Sequence, residues 1–180
     1  MPAPAAPSPQ LYFETINAFH KTSALKAAID LELFTALAGS PATAAELASR
    51  CQCPERGIRI LADYLTIQGF LAKDEGRYAL TPDSAVFLVR TSPAYMGGSV
   101  DFFLSPAVAD PFRDLTSTIR RGGLPASELG TTAPDHDVWL KFARAMGPMM
   151  VPVAHGAAAL VSLDPNRDTR ILDISASHGV

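Results

Sequence analysis

The residues whose types and spacing could do chemistry gather at 171–180. Ile171-Leu172-Asp173-Ile174 is an apolar run carrying one carboxylate, and Ser175, Ala176, Ser177, His178 and Gly179 follow as a small-residue loop around one histidine. A buried strand that delivers an acid and then small residues is how the first strand of a nucleotide-binding α/β sheet presents its ligand loop. Small side chains let the backbone come close, and a helix starting there would turn its N–H groups to the ligand. A second set is Phe142, Met146, Met149 and Met150, at helical spacing. Methionine adapts to flat apolar ligands, so these residues suit an acceptor pocket as well as they suit plain helix packing. Cys51 and Cys53 stand one residue apart, while His20, His136, His155 and His178 are scattered. Zinc asks for four ligands, usually a C-x₂₋₄-C pair and a second pair elsewhere, so no metal site is expected and the thiols read as reduced, in a cytoplasmic protein. His155 and His178 read as a helix residue and a loop residue, and no catalytic residue is assigned.

Composition limits what these residues can serve. Lys plus Arg is 15 and Asp plus Glu is 18, a net charge of −3. That balance argues against a nucleic-acid grip, which needs a basic face. With 48% hydrophobic and 18% charged residues the chain can bury a core. No apolar run approaches the roughly 18 residues of a membrane span, and no secretion signal opens the chain.

The elements that must position the chemistry begin at Leu11. Residues 1–10 hold four prolines and read as a disordered leader. Leu11, Thr15, Ala18 and Phe19 share one helical face. Leu25, Ala28, Ile29, Leu33, Ala36 and Leu37 continue the pattern in a helix over 24–38, capped by Gly39. Leu31 and Phe34 add a second apolar flank, and a girth this wide predicts an intertwined homodimer. Thr43 and Glu46 form a capping box ahead of a short helix, and a turn at 52–54 leads to a second helix from Glu55. Residues 70–80 read as two short strands around Gly76. Helix, turn, helix, hairpin is a winged helix. Thr81-Pro82-Asp83 caps a further helix. Residues 93–104 read as helical. Ser105-Pro106 starts a helix with Val108, Phe112, Leu115 and Ile119 inward, ending at Arg120-Arg121-Gly122. After a loop, another helix turns Val138, Phe142, Ala145, Met146 and Met149 inward, with a break or kink expected at Pro148 and Pro152. Residues 171–174 read as a buried strand.

This order of features, with Trp139-Leu-Lys-Phe142-Ala-Arg-Ala-Met146 and then LDISASHG, resembles the N-terminal half of the S-adenosylmethionine-dependent small-molecule O-methyltransferases of plant phenolic and bacterial polyketide type. In that family the last motif usually reads like LDVGGGTG, so Ser175, Ala176 and Ser177 stand where glycines are common and Gly179 is retained. The resemblance implies a mainly α fold: a helical dimerisation region with a winged helix over 11–92, a helical linker over 93–165, and at 166–180 the first strand of a truncated Rossmann-like domain. It implies S-adenosyl-L-methionine as cofactor, against Asp173, Ser175, Ala176, Ser177, Gly179 and Met146. It implies a small, aromatic hydroxyl-bearing acceptor against Phe142, Met146, Met149 and Met150. The family's general base and ribose-binding acid would lie past Val180, so the chain is expected to be inactive alone. Two other readings stay open: a MarR-like winged-helix transcription regulator, and a non-catalytic dimer-forming remnant.

Overall fold

The computed structural model describes residues 7–123, 138–161 and 172. The chain divides into two compact units, Met1–Ser92 and Pro93–Val180. In the first, helices α1 (Gln10–Ile16), α2 (Ala18–Asp30) and α3 (Leu33–Leu37) precede a short strand β1 (Ala42–Thr43). Helices α4 (Ala44–Arg50) and α5 (Glu55–Ile67), a hairpin of β2 (Leu71–Asp74) and β3 (Arg77–Leu80), and helix α6 (Pro82–Phe87) complete it.

Local chemistry accounts for the boundaries. The Thr43 hydroxyl accepts from the Glu46 N–H at 3.3 Å, and the Thr43 N–H donates to Glu46 Oε2 at 2.7 Å, so both free donors at the start of α4 are satisfied. Helix α5 buries Ile58, Ala62 and Leu65 at i, i+4 and i+7. It stops where Gly69 takes φ +84° and the Phe70 N–H reaches back to the Leu65 carbonyl at 2.9 Å. The hairpin pairs Leu71 with Leu80 and Asp74 with Arg77. Glu75 and Gly76 between them have φ of +44° and +78°, the two left-handed residues of a type I′ turn. The sequence reading held two strands here. The sheet has three, in the order β1-β3-β2, because Ala42 pairs with Tyr78 and Thr43 with Arg77. A two-residue strand is too short to carry a period of its own.

Three details of this unit correct the reading. The helix expected over 24–38 is broken between α2 and α3, where Glu32 takes φ +53°. A straight helix would aim the flank of Leu31 and Phe34 away from the face of Ile29. The break turns Leu33, Phe34 and Leu37 into the same core as Ala28 and Ile29. The cap of α3 is Ala38, in right-handed conformation, and not Gly39. Thr81 precedes α6 without a side-chain cap. Its hydroxyl donates instead to the Phe70 carbonyl at 3.1 Å, where the buried Ser84 hydroxyl also donates at 2.7 Å. The core gathers Leu33, Phe34, Leu47, Ile58, Leu65 and Tyr78, all fully buried.

The second unit contains a 3-10 turn (Gly97–Ser99) and helices α7 (Val100–Phe103), α8 (Pro106–Ala109), α9 (Leu115–Arg121) and α10 (Val138–Leu160). Only the end of the helix expected over 93–104 forms. The Tyr95 ring lies over Gly97, where a Cβ would sit 2.5 Å from the Tyr95 hydroxyl, a packing that a regular helix would not place there. The helix expected from Ser105 is interrupted by a second 3-10 turn, Asp110–Phe112, at Pro111, which has no N–H to give. It restarts at Asp114, whose carboxylate accepts from the Ser117 N–H at 3.2 Å. The interruption leaves Phe112 and Ile119 each 69% exposed rather than inward. Gly122, at φ +80°, ends α9 as its spacing predicts. Of the break or kink expected at Pro148 and Pro152, no break forms: helix α10 runs through both prolines. Of the strand expected at 171–174 only Leu172 is among the described residues, where it is 85% exposed; the rest of that expectation lies outside them.

Candidate functional site

Two surfaces have the chemistry of a site. The first is the N-terminal arm. Every described residue from 7 to 23 is exposed, including Leu11, Tyr12, Phe13, Ile16 and Phe19. At 100° per residue these side chains span more than half of the helix circumference, with Gln10, Glu14 and Lys21 on the remaining edge. An apolar arm of this girth costs solvation free energy unless another surface covers it.

The second surface is on α10. Phe142 lies edge-on to Phe102 of α7, ring centroids 5.3 Å apart, and edge-on to Trp139 at 5.9 Å. Phe102 also meets Phe103 at 5.3 Å. Edge-to-face packing fixes the orientation of each ring, so this cluster is a shaped wall rather than loose apolar surface. Met146 follows Phe142 by one turn and is half-buried, while Met149 and Met150 are each 36% exposed at the end of the row. Of the inward face expected on α10, Val138 and Ala145 are buried, and Met149 opens to solvent instead. The structure therefore places Phe142, Met146, Met149 and Met150 along one helix row. Phe102 had no part in the sequence reading, and its only signal was the Phe102-Phe103 pair in a short apolar run.

Asp173, Ser175, Ala176, Ser177 and Gly179 lie outside the described residues. Met146 is the one described member of that proposed cofactor set. Its thioether offers apolar contact. No group of three or more metal-ligating side chains occurs among the described residues, and Cys51 and Cys53 are free thiols. Burial pushes the Cys51 thiol above its ordinary pKa, which lowers its reactivity at neutral pH.

The electrostatics of the hairpin are internal. Lys73 Nζ lies 2.6 Å from Asp63 Oδ1, and the Tyr78 hydroxyl donates to the same oxygen at 2.7 Å. Lys73 also sits 4.7 Å from the centre of the Tyr78 ring. The hydrogen bonds donated by Lys73 and Tyr78 hold the Asp63 carboxyl below its usual range, and the bond Lys73 donates to Asp63 raises Lys73. Arg77 Nη2 reaches Glu46 Oε2 at 2.9 Å and the Pro41 carbonyl at 2.8 Å. Arg50 Nη1 caps the end of α3 through the Ala36 carbonyl at 2.8 Å. The hairpin cations that a nucleic-acid reader would offer to phosphates are thus each paired with a carboxylate.

Comparison with known proteins follows the same division. Residues 13–90 match the family model described as the O-methyltransferase dimerisation domain. A 97-residue stretch is 39% identical to 3-hydroxy-5-methyl-1-naphthoate 3-O-methyltransferase of Streptomyces sahachiroi, covering 54% of this chain and 28% of that protein. Among solved structures, a candidate O-methyltransferase of Nostoc punctiforme is 44% identical, with a TM-score of 0.81 over 88% of this chain and 48% of its own. The structure of PigF with SAH is 25% identical, with a TM-score of 0.67 over 86% of this chain and 48% of its own. The chain thus spans about half the length of the structures it matches.

Proposed function

We propose, residues 13–90 being an O-methyltransferase dimerisation domain, that this chain is the dimer-forming and acceptor-facing part of an S-adenosylmethionine-dependent O-methyltransferase. The observation that carries the reading is that domain match, on a unit whose first helix is exposed on every side and apolar over a broad arc. In this reading 11–92 is a winged-helix dimerisation domain and 93–165 a helical linker. Residues 166–180 begin the cofactor domain, and the protein works as a cytoplasmic homodimer.

Helix α10 would supply one wall for a small aromatic acceptor. Methyl transfer needs the acceptor oxygen held in line with the methyl group, so orientation dominates the barrier. The edge-packed Phe102, Phe142 and Trp139 hold α10 rigidly. Met146, Met149 and Met150 then give a flat ring an adaptable apolar seat. The cofactor, when bound, supplies the electrophilic methyl group, and the loop of Asp173, Ser175, Ala176, Ser177 and Gly179 with Met146 is proposed to hold it. A proton acceptor for the acceptor hydroxyl is not assigned to any residue of this chain, so the chain by itself is proposed to be inactive.

Light scattering after gel filtration of the 19.1 kDa chain tests the reading. A dimer at micromolar concentration is expected, and Leu11→Glu/Phe13→Glu should convert it to a folded monomer. A clean monomer for the unaltered chain would overturn the dimer. Turnover of a phenolic acceptor by this chain alone would overturn the division of labour.

A further inference from the structure

The chain holds two cysteines, Cys51 and Cys53, and the proposed reaction uses neither. Both sit in the turn that joins α4 to α5, half-buried, with the exposed Gln52 between them. Hydrogen bonds fix this turn. The Cys53 N–H donates to the Ala48 carbonyl at 3.0 Å and the Gln52 N–H to the Ser49 carbonyl at 3.2 Å, which together close a Schellman motif on the end of α4. Gln52 occupies the left-handed position of that motif at φ +53°, where glycine is usual. Pro54 follows and steers Cys53 away from helical conformation.

This conformation brings the two thiols together. At φ +53° Gln52 lies in the left-handed helical basin. A helical backbone of either hand holds Cα atoms two residues apart at about 5.4 Å. Disulfide-bonded cysteines have Cα atoms about 4.4–6.8 Å apart, so the turn already meets that requirement. An extended Gln52 would hold the pair at about 7 Å, past the range. The Cys53 side chain also folds back over its neighbour, and its thiol donates to the Cys51 carbonyl at 3.2 Å. Burial pushes the Cys51 thiol up, and the nearby Cys53 adds to the rise.

We propose that Cys51 and Cys53 are a modification site, a dithiol that a small-molecule disulfide oxidises to an intrachain disulfide without unfolding the turn. The Cys53 thiolate attacks one sulfur of the reagent. A mixed disulfide forms, the reagent's own S–S bond breaks and one reagent thiol leaves. The Cys51 thiolate then attacks Cys53 Sγ. The Cys51–Cys53 bond forms, the mixed disulfide breaks and a second reagent thiol leaves. The protein gives up two electrons and two protons, and the reagent takes up both as two thiols. Burial disfavours the Cys51 thiolate, which suits Cys51 to the second step, where its target already lies beside it. The pair stays reduced wherever the reagent is held as its thiol.

The test is a titration of the full chain with mixtures of oxidised and reduced glutathione, quenched in acid and read by intact mass. As the oxidised share rises, the product expected is lighter by two hydrogens, carries no glutathione, and forms to an extent independent of chain concentration. Cys51→Ser and Cys53→Ser should each retain one glutathione instead. Trypsin cuts after Arg50 and Arg56, so the peptide 51–56 holds both cysteines and reports the bond directly. Denaturing urea removes the turn and leaves the same two thiols. The effective concentration of one thiol at the other, read from the oxidised-to-reduced ratio, should fall there at least ~10-fold. Thiols that stay free across the titration, glutathione retained on the unaltered chain, or a disulfide between two chains would each overturn the proposal. So would an effective concentration no lower in urea, because the folded turn would then contribute nothing.

Discussion

Removing one oxygen atom tests how the hairpin is fastened to α5. Tyr78 is 1% exposed, and its hydroxyl donates to Asp63 Oδ1 at 2.7 Å. Tyr78→Phe keeps the ring, its packing and its place under Lys73, and deletes only that bond. A hydrogen bond to a charged acceptor contributes about 1.5–3 kcal/mol. Asp63 is partly exposed and keeps Lys73, so water replaces part of the loss and about 1 kcal/mol is expected. For a unit of this size that lowers the melting temperature by about 5 °C. Urea and thermal unfolding followed by circular dichroism read it directly. A cycle with Asp63→Asn should give a coupling of about 0.5–1 kcal/mol, because the two groups share one bond. Lys73→Ala, which removes an exposed ion pair, should cost less than Tyr78→Phe. Full additivity of Tyr78→Phe and Asp63→Asn would refute the reasoning, as would a Tyr78→Phe variant as stable as the unaltered chain.

Other outcomes follow from single contacts. Thr43→Ala removes the capping-box hydroxyl and should cost about 1 kcal/mol in chemical denaturation. The backbone bond from Thr43 holds the Glu46 carboxyl below its usual value, and Asp63 is lowered by Lys73 and Tyr78. Folded-state values below the unfolded ones mean that this stability is complete above the ordinary carboxylate range and is lost as pH falls through the depressed values. Melting temperature should therefore be flat from neutrality to about pH 5 and fall below it, less steeply in Asp63→Asn; a rise on acidification would contradict the assignment. Gly97→Ala should destabilise the second unit by about 1–3 kcal/mol, because its Cβ would lie 2.5 Å from the Tyr95 hydroxyl. Gly98→Ala is the control, since its nearest neighbour is a Tyr95 ring atom at 4.0 Å, and equal effects at the two positions would count against the ring-on-glycine packing.

Where a boundary carried its own turn chemistry, the chain could be read by eye. The Thr43–Glu46 box, the Glu75-Gly76 turn and the Gly122 cap each act within four residues, and each is found where spacing puts it. The helix over 24–38 could not be read that way. Its break at Glu32 has no local breaker, and it forms because two apolar flanks must enter one core. The inward face expected on 105–121 failed for the opposite reason. Pro111 is visible in the sequence, yet periodicity across it was read as one helix. Phe142 was legible as a site candidate, but its partner Phe102 lies forty residues away, and no periodicity links them.

The sequence by itself determined the capped helices and the hairpin of the first unit and the broad apolar girth of its N-terminal helices. Those properties follow from composition and from spacing along one helix or strand, which act over a few residues. Only the tertiary structure decided that Lys73 and Arg77 face Asp63 and Glu46, that β1 joins the hairpin, and that Ile60 and Ile67 stay uncovered on α5. Each of these depends on which distant segments pack together. Packing is chosen by burial over the whole unit, and no window of the chain records it.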